Sequence, residues 1–560
     1  MATTLPQTDR RTGRRPERLP KTPPVPETPP APPAASGPAA AFHKYRWIIL
    51  VGLITSAILE VMDTTIVNVA LPRMSGNFGA TPDEIAWVST GYILSNVVVL
   101  PMTAWLSQRI GRKRYLTGSI ALFVLASVLC GFSHSLVEIV LFRVLQGGAG
   151  AALISTAQAT LVEIFPAHQQ SMVQGFFGLG LGVGPAIGPL IGGWLTDNFS
   201  WSWCFFINLP IGIMALVLVG AFLSDTTTAA DNAAARSNPI DSIGIGLLAI
   251  GLGAHQYVLE EGKRLDWFDS PLIKALTAVA AIGLALFLFW ELRPQNRHPV
   301  LDLRVYKDRG LAASVALAFA QGFALYGMLF LFPQFAQNIL GFSPTETGLV
   351  LLPQGLVIAV SIGVSSTAME KGTDPRPVIF TGLAVGAVGL WLLGHLTAAS
   401  GIPDCRLALM TAGFGIGCLF IPLTLTAFAG LQGPQIATGS SLLNLGRQIG
   451  GSVGIAVLNT WVTNAAATAR AGIVAHLTSA QSALPEREAG LTQAFMGQGY
   501  GLAAAQSAAL HAIDGVVQTQ SLVIAYESAF LVSGTVFVLV LPLVFFLQKG
   551  DASKAAGAGH

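Results

Sequence analysis

The chain has 560 residues, of which 52% are hydrophobic and only 11% are charged. This composition excludes an ordinary soluble domain and a disordered chain, and it is typical of a protein that crosses a membrane many times. The net charge of +2 carries little information, because in a membrane protein the position of each charge matters more than the sum. We expect no nucleic-acid partner.

The tail before the first apolar stretch, residues 1–44, is rich in proline and arginine and is predicted to be disordered. It lacks the apolar region and the cleavage site of a secretory signal. The first span is therefore expected to be an uncleaved anchor.

Fourteen apolar stretches are each long enough to cross a bilayer as a helix, which takes about 20 residues. They lie at approximately 46–71, 85–106, 115–133, 136–158, 171–193, 203–224, 239–259, 270–292, 311–335, 346–368, 377–399, 406–428, 437–462 and 521–548. Long continuous apolar runs exclude a transmembrane β-barrel. We predict an all-α polytopic membrane protein with fourteen transmembrane helices.

Basic residues concentrate in connections that follow even-numbered spans, at 109–114, 293–309 and 371–376. The positive-inside rule then places these connections and both termini in the cytoplasm. The longest connection, 463–520, falls on the outer side of the membrane, and its alanine- and glutamine-rich part, 500–517, is a candidate for an amphipathic helix. The four cysteines are scattered without paired spacing, which favours packing roles over disulfides or a metal site.

Glycine recurs every four residues inside one apolar span, and two prolines interrupt the same run. The residues concerned are Gly180, Gly184, Pro185, Gly188, Pro189, Gly192 and Gly193. On a helix these glycines form one face that allows a neighbouring backbone to approach closely. The prolines remove backbone donors and are expected to bend the helix. Tight helix packing is the simpler interpretation, and a hinge is the functional one.

Charged residues inside apolar spans are candidates for proton coupling, because a charge at the centre of a membrane helix costs about 2.5–3.5 kcal/mol. Asp63 is the main candidate for a carboxylate that binds and releases a proton. Arg143 is its expected partner, either as a switch that changes the pKa of the carboxylate or as a permanent structural tie. Arg447 poses the same alternatives for the C-terminal half of the chain.

Glu60 lies three residues before Asp63, so the two carboxylates share one helix face. Three interpretations stay open. Glu60 and Asp63 titrate as a coupled pair, Glu60 recognises a cationic group in the cavity, or Glu60 meets water and has no role.

Three segments together resemble the fourteen-helix drug/proton antiporters of the major facilitator superfamily. They are 63–72 in the first span, 143–150 in the fourth, and 184–193, which matches the antiporter motif G-x-x-x-G-P-x-x-G-G. Smaller matches at 205–212 and 262–268 are similar to the EmrB-type exporters of Gram-negative inner membranes.

The resemblance implies two six-helix bundles, 45–224 and 311–548, joined by an inserted helix pair within 225–310 and followed by a cytoplasmic tail, 549–560. The substrate would bind between the bundles near the membrane midplane. The glycine ladder would pack against the other bundle and bend there.

The resemblance also implies a function. The protein would export hydrophobic or amphipathic toxic compounds across the bacterial inner membrane, driven by the proton gradient, without a cofactor or metal. A periplasmic adaptor protein and an outer-membrane channel would be its partners, in addition to protons and membrane lipid.

The connection 104–113 resembles the superfamily loop G-x-L-x-D-R-x-G-R-K, with one important departure. Gln108 stands where the family has an aspartate that latches the two bundles by charge interactions. An ionic latch is therefore in doubt. Gly111 and Arg112 match the motif and are candidate gating residues, with anchoring of the topology as the alternative for the basic cluster.

Polar side chains on otherwise apolar helices are candidates to line the substrate cavity, and hydrogen bonding between helices is the alternative role of each. They are Asn68, Tyr92, Asn96, Gln146, Gln158, Gln321, Tyr326 and Gln354.

Motifs of zinc proteases, serine hydrolases and phosphate-binding loops are absent from the sequence, which argues against an enzyme and against ATP hydrolysis. An exporter or facilitator of a specific metabolite on the same fold stays open as an alternative, as does a membrane-embedded enzyme or sensor.

Overall fold

The computed structural model describes residues 38–224, 239–296, 298–477 and 483–547, and every regular element in these ranges is helical. The first eight helices are α1 (Pro38–Phe78), α2 (Pro82–Val99), α3 (Thr103–Ile110), α4 (Arg112–Gly131), α5 (Leu136–Ile164), α6 (Ala167–Asn198), α7 (Trp203–Phe206) and α8 (Asn208–Phe222). Two more follow, α9 (Ser242–Glu261) and α10 (Pro271–Leu292). The last seven are α11 (Arg309–Asn338), α12 (Pro344–Glu370), α13 (Pro375–Leu393), α14 (Ile402–Phe428), α15 (Pro434–His476), α16 (Ala483–Gly497) and α17 (Leu502–Val540).

Twelve stretches of helix among the described residues are long and apolar enough to cross a membrane. Helices α2 and α3 form one of these, Glu84–Ile110, and α7 with α8 forms another, Trp203–Phe222. Helices α6 and α15, of 32 and 43 residues, also exceed the length of a span and pack among the twelve. Together they make the fourteen spans that the sequence predicts, and the predicted all-α fold is confirmed.

Apolar packing follows the two halves of the chain. One cluster of buried residues lies wholly within 313–547, and two lie wholly within 49–223. A further cluster combines residues of both halves with Leu248, Leu252 and Phe287 of α9 and α10. The inserted pair α9 and α10 therefore packs against both halves.

The glycine ladder of α6 packs against α1, which belongs to the same half. A Cβ on Gly184 would lie 2.8 Å from Val61 Cγ1, and one on Gly192 would lie 2.7 Å from the carbonyl oxygen of Ile66. Such distances leave no room for a side chain. The expectation that this ladder packs against the other half is wrong.

A second stripe on α6 makes the contact with the other half. Gly175, Gly178 and Gly182 face α12, where a Cβ would lie 3.0 Å from Ser366 Oγ at the first position and 2.7 Å from Ile358 Cγ2 at the third. Helix α6 thus uses one glycine face inside its half and another between the halves. It runs as one continuous helix through positions 185 and 189, and the side chains of Pro185 and Pro189 lie outside the described residues.

Helix α15 repeats the arrangement of α6 in the second half. Its glycines Gly446, Gly450 and Gly454 face α11, where Cβ atoms on the last two would lie 2.1 and 2.6 Å from the carbonyl oxygens of Phe319 and Phe323. The pair α11 and α15 therefore corresponds to the pair α1 and α6. This repetition is what two related six-helix bundles produce.

The segment 463–520, predicted as a long connection, is mostly helical in its described part. Helix α15 continues to His476, α16 follows, and α17 begins at Leu502 and runs on into the last span. Arg470 of α15 and Asp514 of α17 form an exposed ion pair at 2.5 Å, which ties the two extensions together. Helix α17 therefore begins well before the apolar stretch 521–548 predicted as the last span.

The ladder predicts a sharp difference between two adjacent glycines. Gly192→Ala places a methyl group against the α1 backbone and should lower the free energy of unfolding by about 1–3 kcal/mol. Gly193→Ala is the control, since its Cβ would lie 3.7 Å from Val69 Cγ1, an ordinary contact. Melting temperatures of the purified variants measure the difference, and equal values would contradict close packing of α6 on α1.

Candidate functional site

A buried ion pair forms the centre of the N-terminal half. Asp63 of α1 and Arg143 of α5 are 0% and 1% exposed, and Arg143 Nη1 donates to Asp63 Oδ2 at 2.5 Å. The other carboxylate oxygen, Oδ1, accepts from Gln146 Nε2 at 2.9 Å and from Asn208 Nδ2 at 2.7 Å. Arg143 Nε donates to the carbonyl oxygen of Val88 at 3.0 Å. One carboxylate thus holds α1, α5 and α8 together.

Further contacts complete this network. Ser127 of α4 accepts hydrogen bonds from Gln146 at 2.9 Å and from Asn208 at 2.8 Å. The ring of Tyr92 lies 4.2 Å from the guanidinium carbon of Arg143, within cation–π distance. Arg143, Gln146 and Asn208 therefore donate to the Asp63 carboxylate, and Ser127 and Tyr92 contact these donors.

Asn208 is the functional residue that the sequence reasoning missed. It lies inside the matched segment 205–212, and it is fully buried at the start of α8. The signal that could have identified Asn208 is its polar side chain in an apolar span, which is also the reason why Asn68 and Asn96 are predicted to line the cavity. The segment 205–212 therefore carries a polar residue of the site in addition to its resemblance to the family.

Glu60 belongs to a separate group of hydrogen bonds. Its carboxylate accepts from Asn96 Nδ2 at 3.0 Å and from the backbone N–H of Ile154 at 3.2 Å, and the residue is 7% exposed. No cation among the described residues forms an ion pair with it. Glu60 and Asp63 share a helix face, yet each carboxylate has its own partners.

The C-terminal half carries a second buried arginine with different surroundings. Arg447 of α15 donates to Asn444 Oδ1 at 2.9 Å and to Gln321 Oε1 at 3.2 Å, and it lies over the Phe420 ring at 4.9 Å. Gln321 also donates to the carbonyl oxygen of Ile416 at 3.1 Å. The polar partners of Arg447 are therefore neutral amides.

Neutral side chains join the two halves at one end of the molecule. We call this group the hydroxyl clasp, and its members are Thr103, Ser155, Gln158, Ser440, Ser441 and Asn444. The hydroxyls of Thr103 and Ser441 are 2.7 Å apart, and Ser155 Oγ donates to Thr103 Oγ1 at 3.1 Å. Asn444 Nδ2 and Ser440 Oγ donate to Gln158 Oε1 at 2.8 and 3.2 Å. All these groups are buried.

The clasp lies toward the helix ends that the sequence predicts to face the cytoplasm, next to the loop in which Gln108 replaces the usual aspartate. Gly111 separates α3 from α4 with a φ of +96°, a backbone conformation that favours glycine. Arg112 pairs with Glu163 of α5, within its own half. The side-chain hydrogen bonds described between the two halves at this end are thus formed by hydroxyl and amide groups, beside apolar contacts such as those of Ala104 and Ala159 with Ala437.

Three residues predicted to line the cavity lie outside the groups described so far, and each has different surroundings. Asn68 accepts from Ser89 at 3.0 Å and ties α1 to α2, away from Asp63. Gln354 is buried and donates to Met328 Sδ at 3.7 Å. Tyr326 is 36% exposed although its helix neighbours are buried, and it lies within electrostatic reach of both Glu60 and Arg447. Tyr326 therefore lines accessible space between the halves.

The fold and this site define a polytopic helical transporter built from two related bundles. Residues 53–455 match the model of the Major Facilitator Superfamily, and the chain belongs to this superfamily.

Curated relatives are similar over nearly their whole length. The Multidrug export protein EmrB of Escherichia coli is 30% identical over 513 residues, 91% of this chain and 97% of the relative. The Fatty acid resistance protein FarB of Neisseria gonorrhoeae is 32% identical over 515 residues, 92% of this chain and 98% of the relative. The resemblance to EmrB-type proteins is confirmed.

A solved structure gives the same fold. The human organic anion transporter MFSD10 (TETRAN) aligns with a TM-score of 0.56 at 12% identity, over 91% of this chain and 100% of that one. At this identity the likeness shows the fold alone.

The ion pair of Asp63 and Arg143 predicts that removing one of the two charges strongly lowers the stability of the protein. Asp63→Asn leaves Arg143 without a counter-charge and should lower the free energy of unfolding by about 3–5 kcal/mol. The double variant Asp63→Asn/Arg143→Gln should recover most of this loss. Thermal unfolding measures both variants.

A matched control uses the exposed ion pair of Arg73 and Asp197 at 3.6 Å, whose side chains are about two-thirds exposed. Asp197→Asn should change stability by at most about 1 kcal/mol. If Asp63→Asn were as mild as this control, the pair would not be a determinant of the fold.

Proposed function

We propose that the protein is a proton-coupled efflux transporter for hydrophobic or amphipathic toxic compounds. The observation that carries this proposal is the carboxylate of Asp63, buried in the membrane-spanning part and bound to Arg143, Gln146 and Asn208. A proton carrier needs a carboxylate whose affinity for protons changes with its surroundings. The names of the relatives, multidrug export and fatty acid resistance, support an export function.

The proposed proton step is local to α1, α5 and α8. While the pair with Arg143 is intact, the guanidinium offsets the negative charge of Asp63. A shift of α1 away from α5 separates the charges, and Asp63 then takes up a proton because a bare carboxylate in an apolar environment is unfavourable. Return of α1 releases the proton.

The proposed substrate path lies between the halves. The hydroxyl clasp closes one end, and its neutral hydrogen bonds contribute only about 0.5–1.5 kcal/mol each, so thermal motion opens it. Opening of the clasp exposes the space near Glu60, Tyr92 and Tyr326 to the cytoplasm. Closing it exposes the same space to the other side, which is alternating access.

The proposed setting is the bacterial inner membrane with both termini in the cytoplasm. The distribution of basic residues supports this orientation. A periplasmic adaptor protein and an outer-membrane channel are proposed partners. The extensions of α15 and α17 with α16 form a helical projection beyond the apolar spans, which is the docking surface we propose for the adaptor.

Export or facilitated diffusion of a single metabolite is the alternative function on the same fold. It predicts a narrow substrate range, so a chemical panel separates the two.

Proton coupling is tested in proteoliposomes that contain the purified protein. Adding a transported dye from a panel of hydrophobic cations, neutral compounds and weak acids should move protons with the wild-type protein and produce no proton movement with Asp63→Asn. Asp197→Asn is the matched control and should keep at least half of the wild-type rate. Unchanged proton movement in Asp63→Asn would refute the assignment, and its absence in the wild-type protein across the panel would refute the function.

The clasp is tested by a disulfide between Thr103→Cys and Ser441→Cys, introduced with the four native cysteines replaced. The native side-chain oxygens are 2.7 Å apart, so an oxidant should cross-link the pair efficiently. Cross-linking should lower the transport rate at least tenfold, and a reductant should restore the rate. Full transport by the cross-linked protein would show that this end need not open.

A further inference from the structure

Arg447 is a buried cation that forms no ion pair with a described residue. The residue is 7% exposed, and its Nη1 and Nε atoms donate to the amide oxygens of Asn444 and Gln321. Its third group, Nη2, is buried and has no hydrogen-bond partner among the described residues. The guanidinium therefore keeps an unused donor in the interior of the protein.

The contrast with Arg143 shows what is missing. Arg143 is also buried, but Asp63 supplies a full negative charge at 2.5 Å. An arginine stays charged at any physiological pH, and a buried charge without a counter-charge is unfavourable. The amide oxygens and the Phe420 ring offset this only in part, since neither carries a net charge. Arg447 thus has an intrinsic affinity for an anion.

The position of Arg447 gives an anion a route to it. Arg447 lies on α15, and its partner Asn444 contacts Gln158 of the other half, so the guanidinium borders the interface between the halves. Tyr326 lies within electrostatic range of Arg447 and packs against Gly451, one turn further along α15. Its side chain is 36% exposed. Accessible space therefore lies one helical turn from the guanidinium.

We propose that Arg447 binds the anionic head group of a substrate, such as a carboxylate, while the apolar body of the substrate packs in the space beside Tyr326 and Phe420. A guanidinium and a carboxylate form two parallel hydrogen bonds, for which the free Nη2 supplies one donor. The inference rests on the proposed function and names the class of substrate, a hydrophobic molecule with one acidic group.

The test uses two fluorescent probes that differ mainly in charge, 1-pyrenebutyrate and 1-pyrenebutylamine. Energy transfer from tryptophan to pyrene reports binding to the purified full-length protein in lipid nanodiscs. Arg447→Gln should weaken binding of the acid by about 10- to 100-fold, the range expected for lost hydrogen bonds to a charged group. Binding of the amine should change by less than about threefold, which corresponds to less than 1 kcal/mol.

Two further variants separate recognition from folding. Arg406→Gln removes an exposed arginine of the same half and should leave both affinities unchanged. Gln321→Glu places a carboxylate beside Arg447, since the wild-type oxygen lies 3.2 Å from its Nε. This variant keeps Arg447 and gives it an internal counter-charge, so binding of the acid should fall at least tenfold without a fall in melting temperature.

Either of two results would overturn the inference. One is equal affinity for 1-pyrenebutyrate in the wild-type protein and Arg447→Gln, and the other is a wild-type protein that binds the amine but not the acid. Both results leave the proposed function standing if substrate-dependent proton movement persists in proteoliposomes. Loss of that movement in the wild-type protein is a separate result, and it refutes the function itself.

Discussion

The structure depends on one charge interaction, the ion pair of Asp63 and Arg143 inside a membrane domain. Neither charge is tolerated there alone, so the pair fixes where α1, α5 and α8 meet. Gln146 and Asn208 occupy the remaining acceptor positions of the carboxylate. Under the proposed function, protonation of Asp63 would remove the charge that Arg143 requires, so proton uptake and the arrangement of these helices would be linked.

The packing around this pair differs in kind within a half and between the halves. Within each half, glycines bring α6 onto α1 and α15 onto α11 at backbone contact. Between the halves, the clasp consists of neutral hydroxyl and amide groups, and α6 meets α12 through small residues. Each half is therefore suited to move as a body, and the surface between them is suited to separate.

The sequence predicted the number of spans, the buried charges and the family, because long apolar runs and intramembrane charges are local signals. It did not predict which helix the ladder of Gly184 and Gly192 contacts. A glycine face indicates that another helix packs closely, but it does not indicate which helix that is. The hydroxyl clasp could not be predicted from the sequence either, because serine and threonine side chains donate hydrogen bonds to their own helix as readily as to another helix. The sequence predicted an amphipathic helix at 500–517, and α17 begins at Leu502. It did not predict that α15 continues to His476, since alanine-rich polar sequence gives no hydropathy signal.

The role of the Asp63–Arg143 pair is tested most directly by infrared difference spectroscopy of the protein in lipid when a transported compound is added. We expect Asp63 to change its protonation, so a band of a protonated buried carboxyl group appears or disappears in the wild-type spectrum. The same band should be missing from the spectrum of Asp63→Asn. A band that persists in Asp63→Asn, or a wild-type spectrum without any carboxyl change during transport, would contradict the central role of this pair.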